Sequence, residues 1–301
     1  VSARRLHSIE HFGVARRYWW NHDFLRLMST RWRLDRVTRV LDVGCGIGHW
    51  GAVLRTCLPA DCEMVGVDSE AEWVKAASEV VKSSGRAGRC QFQVASAEAL
   101  PFPDESFDMV TCQTLLMHVR DPLPVLREMR RVLQPGGLLA IVEPNNLVQS
   151  LMATSVNALD EVDARLRRVR FQLMCEKGKA ALGEGLFSIG DLVPGLVAEL
   201  GFREIQVFQS DKTLPYFPPY ETVEQAALVR DYFGESSSAD TWLLPKADAR
   251  RYFAAAGGTS DDFDACWRRV ESDNLREREA LSNRKLHRAG GRVMYLTSGR
   301  K

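Results

Sequence analysis

The stretch that decides the fold runs Val40-Leu41-Asp42-Val43-Gly44-Cys45-Gly46-Ile47-Gly48-His49-Trp50-Gly51. A short apolar run closes on an acid, and glycine then recurs at every second position before a segment with helical spacing. That order describes a strand, a tight loop and a helix. Two glycine patterns overlap in the loop. Gly46-x-Gly48-x-x-Gly51 matches the dinucleotide-binding fingerprint as a string. Gly44-x-Gly46-x-Gly48 is a tighter loop, in which backbone without Cβ atoms can come within contact distance of a ligand.

Register separates the two. In a dinucleotide site the first glycine follows the strand directly and the third allows close helix–strand packing. Here the strand ends at Gly44, so a fingerprint beginning at Gly46 starts late. The in-register string puts His49 at the third glycine position, and Asp42 adds negative charge where a pyrophosphate would lie. A nicotinamide-dependent oxidoreductase, NAD(P)-binding, is therefore a disfavoured alternative.

Outward from the loop, strand and helix patterns alternate. Arg39–Val43, Glu63–Val67, Cys90–Val94, Phe107–Cys112 and Leu138–Val142 are short, apolar and bounded by Gly, Pro or Asp, as strands are. Ile47–Leu58, Glu70–Ser83 and Pro122–Leu133 carry apolar residues at helical spacing, the last closing at "LQPGG". Such repetition predicts an α/β fold with a mostly parallel sheet and helices on both faces. From Leu147 to Ala181 the pattern is helical, and Leu186–Phe208 returns to helix plus strand, with Ser188 as N-cap and Gly201 as the stop. A stretch rich in helix formers, Thr213–Ala289, precedes a C-terminal strand. The expected organisation is an N-terminal helical cap segment (1–36), a core (37–146), a helical insertion (147–186), a core helix and strand (187–212), a second helical insertion (213–289) acting as lid, and a core strand (290–301).

Composition adds limits. The 301 residues are 45% hydrophobic and 26% charged with a net charge of +1, so neither nucleic acid nor an acidic lipid surface is an expected partner. No apolar run reaches membrane-spanning length and no signal-peptide pattern opens the chain. The seven cysteines are odd in number, scattered and without a CxxC pair, which argues against a disulfide framework or zinc site and for a reducing cytoplasm.

The loop and the segment Val94–Asn145, "VASAEALPFPDESFDMVTCQTLLMHVRDPLPVLREMRRVLQPGGLLAIVEPN", together carry a resemblance. Asp-x-Gly-x-Gly-x-Gly resembles motif I of the class I S-adenosylmethionine-dependent methyltransferases. The "LPF.D.SFD" segment, the histidine after the fourth strand, "RVL.PGG" and "EP" resemble the ubiquinone/menaquinone-biosynthesis-like group and its small-molecule relatives. The likeness covers about Val37 to Asn146 and resumes more weakly over Phe187–Gln209 and the last strand. It implies a Rossmann-like seven-stranded sheet with the last strand inserted antiparallel, and S-adenosylmethionine as cofactor with S-adenosylhomocysteine as product.

Carried onto these residues, the resemblance implies that Asp42, Gly44, Cys45, Gly46 and Gly48 cradle the cofactor. Asp68 and Ser69 would meet the ribose, although Asp68 also reads as a helix N-cap. Ser96, Ala97 and Glu98 would meet the adenine; Ser96 stands where the family commonly has an acid. Gln113 would be a further cofactor contact; it and Thr114 end the fourth strand, where a divalent-cation subgroup would need carboxylates, so no metal is expected. Tyr18 and Trp19 would close over the sulfonium, or simply pack. His118 is the candidate base, or packs between strand and helix; Glu143, the second catalytic candidate, and Asn145, a substrate contact, lie at the carboxyl edge of the sheet, facing substrate or forming a polar turn. "YFPPY" lacks the residue and position of the nucleic-acid methyltransferase motif, so Tyr216 and Tyr220 are expected to contact a small acceptor, apolar or aromatic. A protein that binds the cofactor without turnover stays open as an alternative.

Overall fold

The structure, a computed structural model, describes residues 18–83, 89–233, 244–290 and 293–301. Its backbone falls into two compact units.

The first unit contains the sheet. It takes residues 20–145, 189–211 and 294–301. Strands β1 (Arg39–Val43), β2 (Glu63–Asp68), β3 (Cys90–Val94), β4 (Phe107–Gln113), β5 (Leu133–Asn145), β6 (Arg203–Gln209) and β7 (Val293–Arg300) form one sheet in the order β3-β2-β1-β4-β5-β7-β6. Pairing is parallel from β3 through β5, and β7 runs antiparallel to β6. This is the expected seven-stranded, mostly parallel sheet. β1 and β4 are buried along nearly their whole length, as central strands covered on both faces must be. Helix α3 (Ala71–Ser83) packs on β2 and β3, and α4 (Pro122–Val132) on β4 and β5. Asp121 caps α4 by accepting from the Leu123 N–H at 3.0 Å, with Pro122 at the first helical position.

Several local features differ from the sequence expectation. Helix α2 spans only His49–Leu54. Gly51 lies inside it, where a Cβ would come within 2.9 Å of Met64 Sδ on β2, so this glycine serves helix–strand packing. "LQPGG" belongs to β5: Leu133 pairs with Phe107 and Leu138 with Met109, so the extra residues form a bulge with Gly136 at φ 74°. Helix α1 (His22–Trp32) packs in the sheet unit, where Arg300 donates to the Trp32 carbonyl at 2.9 Å and Arg31 covers the Phe208 ring. Residues 1–17 of the expected cap segment lie outside those described. Ser188 does not cap α6 (Val193–Glu199), whose N-cap is Leu192. Its hydroxyl instead donates to Glu176 and accepts from the Leu147 N–H.

The second unit is helical, built from residues 146–188 and 212–293 with Tyr18 and Trp19. Residues 147–186 and 213–289, read from sequence as separate insertions, thus share one unit. Helices α5 (Val162–Ala181), α8 (Lys246–Ala255) and α9 (Ser260–Ser282) meet around Phe171, Phe253, Phe263 and Trp267, with ring centroids 5.5–6.5 Å apart. Gly178 lets α5 approach α8 closely, since a Cβ there would overlap the Tyr252 carbonyl. A second core joins Tyr216, Leu228 of α7 (Val223–Phe233), Leu281 and Leu286. Among the described residues, no helix is long and apolar enough to cross a membrane.

Candidate cofactor and active site

The carboxyl ends of β1, β2, β4 and β5 carry the candidate residues of the sheet unit. After β1, Gly44, Gly46 and Gly48 all have positive φ, at 68°, 52° and 83°. Gly44 is required twice, because a Cβ would also stand 2.7 Å from Leu115 Cδ1. At Gly46 a Cβ would meet nothing within 4 Å, so the space before this residue is open to a ligand. The loop is tied back by the Cys45 N–H to the Val67 carbonyl at 2.9 Å and the Gly46 N–H to Asp68 Oδ2 at 2.8 Å.

Asp68 therefore does more than its ribose assignment implies. Its other oxygen accepts from the Glu70 N–H at 3.0 Å, a turn contact ahead of α3; the helix opens at Ala71 with the Glu70 carbonyl taking its first bonds, so Asp68 is not its N-cap. Ionised carboxylate oxygens retain further acceptor capacity, which leaves room for hydroxyl donors. Ser69 is exposed beside it.

Asp42 is the electrostatic centre. It is 2% exposed, and among the described residues neither oxygen has a hydrogen-bond partner of ordinary geometry. Burial, reinforced by the nearby Asp68 charge and only weakly opposed by the Gly51 N–H, pushes its pKa up to about 8. Burial and the same two carboxylates hold the Cys45 thiol far above its ordinary value. Gln113 ends β4 with its Nε2 buried and without a partner among the described residues. Buried polar atoms left in this state are rare in folded proteins and call for a reason.

Beyond β4 the chain turns at Thr114, a β-branched residue at φ 55°. Glu143 holds the turn: its Oε1 accepts from the Leu115 N–H at 2.8 Å and the Leu116 N–H at 2.6 Å. Glu143 is buried, whereas His118 is exposed on the short 3-10 helix Leu116–His118. Asn145 donates to Asp191 at 2.5 Å. After β3, Ser96 accepts from the Glu98 N–H at 3.2 Å and stabilises the turn bearing Ala97.

Two anchors were not foreseen. Arg131 donates to the Leu100 and Phe102 carbonyls at 2.9 and 2.8 Å and to Asp104 at 2.8 Å, while Glu128 accepts from the Leu100 N–H at 2.8 Å. Asp108 accepts from Thr38 and Arg39 N–H at 2.7 and 3.0 Å, pinning the start of β1 to β4. The "LPFPDESFD" and "RRVL" segments thus hold each other in place. The sequence signal was charge at fixed offsets, visible but without an evident partner.

In the helical unit, Tyr216 corrects an expectation. It is 5% exposed, its hydroxyl donates to the Leu228 carbonyl at 3.1 Å, and Arg288 covers its ring. It packs a core rather than offering a surface to an acceptor. Tyr220 is half-buried, with its hydroxyl on the Leu286 carbonyl at 2.7 Å. Tyr18 and Trp19 are half-buried in their own unit.

The sheet order, the antiparallel last strand, the glycine loop and the acids ending β1 and β2 define a class I S-adenosylmethionine-dependent methyltransferase domain. Residues 34–182 match the family described as "Methyltransferase domain", and the chain carries such a domain. It is 33% identical over 154 residues to "Uncharacterized methyltransferase YcgJ" of Bacillus subtilis (strain 168), covering 51% of this chain and 56% of that protein. It is 36% identical over 124 residues to "Demethylmenaquinone methyltransferase" of Geobacillus kaustophilus (strain HTA426), covering 41% of this chain and 51% of that one. The chain therefore spans about half the length of each of these relatives. The crystal structure of YcgJ superposes with a TM-score of 0.50 at 18% identity, over 93% of this chain and 100% of that one, a likeness of fold. The cofactor of the domain is S-adenosylmethionine.

The residues fit that cofactor. The open space at Gly46 admits a ligand against the backbone, and the unpartnered Asp42 carboxylate suits a cationic group.

Proposed function

We propose that this protein transfers the methyl group of S-adenosylmethionine to a small-molecule acceptor with an apolar or aromatic body, by in-line displacement without a metal. The observation that carries the reading is Asp42, a buried carboxylate without a hydrogen-bond partner beside the glycine loop. When bound, the cofactor supplies a methyl group already activated by its sulfonium. The chain's work is to align the acceptor and exclude water, which can lower a barrier by about 7–11 kcal/mol.

In this reading Asp42 pairs with the ammonium group, Gln113 Nε2 donates to the cofactor, and the remaining lone pairs of Asp68 accept from the ribose. Ser96, Ala97 and Glu98 border the adenine. His118, exposed after β4, takes the acceptor's proton where one must leave. Glu143 is a positioning residue, since its carboxylate already holds the Leu115–Leu116 turn. Asn145 stands at the sheet edge as a substrate contact. A small-molecule acceptor is supported by a relative named for demethylmenaquinone.

Calorimetric titration with S-adenosylmethionine, S-adenosylhomocysteine and NAD, repeated with Asp68→Ala, tests the cofactor. Saturable binding of both adenosyl ligands, weaker in the variant and absent for NAD, is expected. NAD binding alone overturns the reading. For the base, His118→Ala should lower kcat by roughly 10²–10⁴ and remove a limb of the pH–rate profile.

A further inference from the structure

We propose that the helical unit holds a second ligand site, for a small amphipathic anion: an apolar or aromatic body bearing one carboxylate or phosphate. A cavity of about 640 Å³ lies beside the "YFPPY" turn, within the size range of small-molecule pockets. Its apolar wall is Ala226 and Val229 of α7, Leu281 of α9, and Tyr220. Every residue of this wall belongs to the helical unit.

The charge at its mouth selects the ligand. Arg230 and Arg284 line the cavity, and neither guanidinium makes an ion pair or a side-chain hydrogen bond among the described residues. Other arginines of the same unit, by contrast, are committed: Arg168, Arg269 and Arg276 to the buried Asp273, and Arg251 to the half-buried Glu184. Among the described residues Glu221 is the one carboxylate on the wall, against two guanidiniums. Two guanidiniums beside an apolar floor suit an anionic head on an apolar body.

Backbone conformation points to the same place. Six non-glycine residues among those described have positive φ, and two of them, Tyr220 at 60° and Arg284 at 54°, line this cavity. Arg284 follows the C-cap Asn283 of α9, a position that glycine usually takes. An arginine in the left-handed region costs conformational energy that glycine avoids, and such residues gather at ligand sites.

The test uses the full chain and three probes sharing one body: 4-phenylbutanoate, 4-phenylbutan-1-ol and 4-phenylbutylammonium, with phenylbutyl phosphate to separate the two anionic heads. Calorimetric titration should show one saturable site with the anions bound about tenfold more tightly than the ammonium. Arg230→Gln with Arg284→Gln should bring that ratio close to one while the alcohol still binds. Ala226→Trp should fill the cavity and abolish all binding, with circular dichroism confirming that each variant folds. Absence of saturable anion binding to the wild type overturns the proposal. So does an unchanged anion preference in the folded arginine variant, or unchanged binding in a folded Ala226→Trp protein.

Discussion

The two units treat buried charge in opposite ways. In the helical unit Asp273 is 1% exposed and sits among Arg168 at 3.3 Å, Arg269 at 2.7 Å and Arg276 at 2.5 Å. The Arg276 and Arg269 guanidiniums hold the Asp160 carboxyl well below its ordinary range, and Arg251 does the same for Glu184. In the sheet unit Asp42 is as deeply buried, has no cationic partner among the described residues, and is displaced upward to about 8. A paired buried charge can be retained for folding alone. An unpaired one beside an open glycine loop is a liability to folding that a cationic ligand removes.

The largest effect should follow from closing the loop itself. Gly44→Val places a branched side chain at φ 68° and against Leu115, so S-adenosylhomocysteine affinity should fall roughly 100-fold by calorimetry. Retained affinity would mean the ligand does not use this loop, and the comparison between units would lose its basis.

Asp273→Ala tests the other side. It leaves three guanidiniums facing an apolar methyl, at a cost of about 2 kcal/mol, moderated because those arginines are partly exposed. The urea midpoint should fall while S-adenosylhomocysteine affinity is unchanged. A variant of normal stability and weakened cofactor binding would reverse the assignment of the two kinds of charge.

The pH dependence sharpens the contrast. Asp42 binds its proton more tightly folded, at about 8, than at its ordinary value of 3.8. Between those values the folded state holds more protons, so this group lowers stability as pH rises from about 4 to about 8, with no change outside that window. Asp42→Asn should flatten this slope and be the more stable protein above pH 8. Cofactor affinity should behave oppositely: it rises with pH towards 8 in the wild type, where the carboxylate ionises, and is flat in the variant. At high pH the variant should bind S-adenosylmethionine about tenfold more weakly, the loss of one charge-assisted contact.

The sheet unit was legible from sequence because its physics is local. Apolar runs ended by Asp or Gly marked β1 and β2 nearly to the residue, and the glycine spacing placed the loop. What failed there depended on contacts across sequence: the bulge at Pro135–Gly137 needs the β4 partner to define it, and Gly51 needs Met64. Asp42, Asp68 and Gln113 could be named but not ranked, since burial without a partner is a property of the fold. The helical unit was read only as helix formers. Tyr216 carries the same letters whether it packs a core or meets an acceptor, and only its hydroxyl on Leu228 decides. Likewise nothing in "RLRRVR" distinguishes Arg168, paired with the buried Asp273, from Arg167, for which a solvated face was the expectation for the whole run.

Glu143 is the case where the contrast is least extreme, and its prediction is correspondingly small. The residue is buried in the sheet unit yet, unlike Asp42, its Oε1 has two backbone donors. Glu143→Gln keeps an oxygen that can accept from Leu115 and Leu116, so the turn after β4 should persist at a cost of about 1 kcal/mol for a neutral acceptor in place of a charged one. Turnover should then stay within a few-fold of wild type with an unshifted pH profile, because a positioning residue acts through the shape of the turn. A loss of roughly 10²–10⁴ in kcat with a missing limb in the profile would instead make Glu143 a proton acceptor. That result would place a second functional carboxylate at the sheet edge and move His118 out of the role.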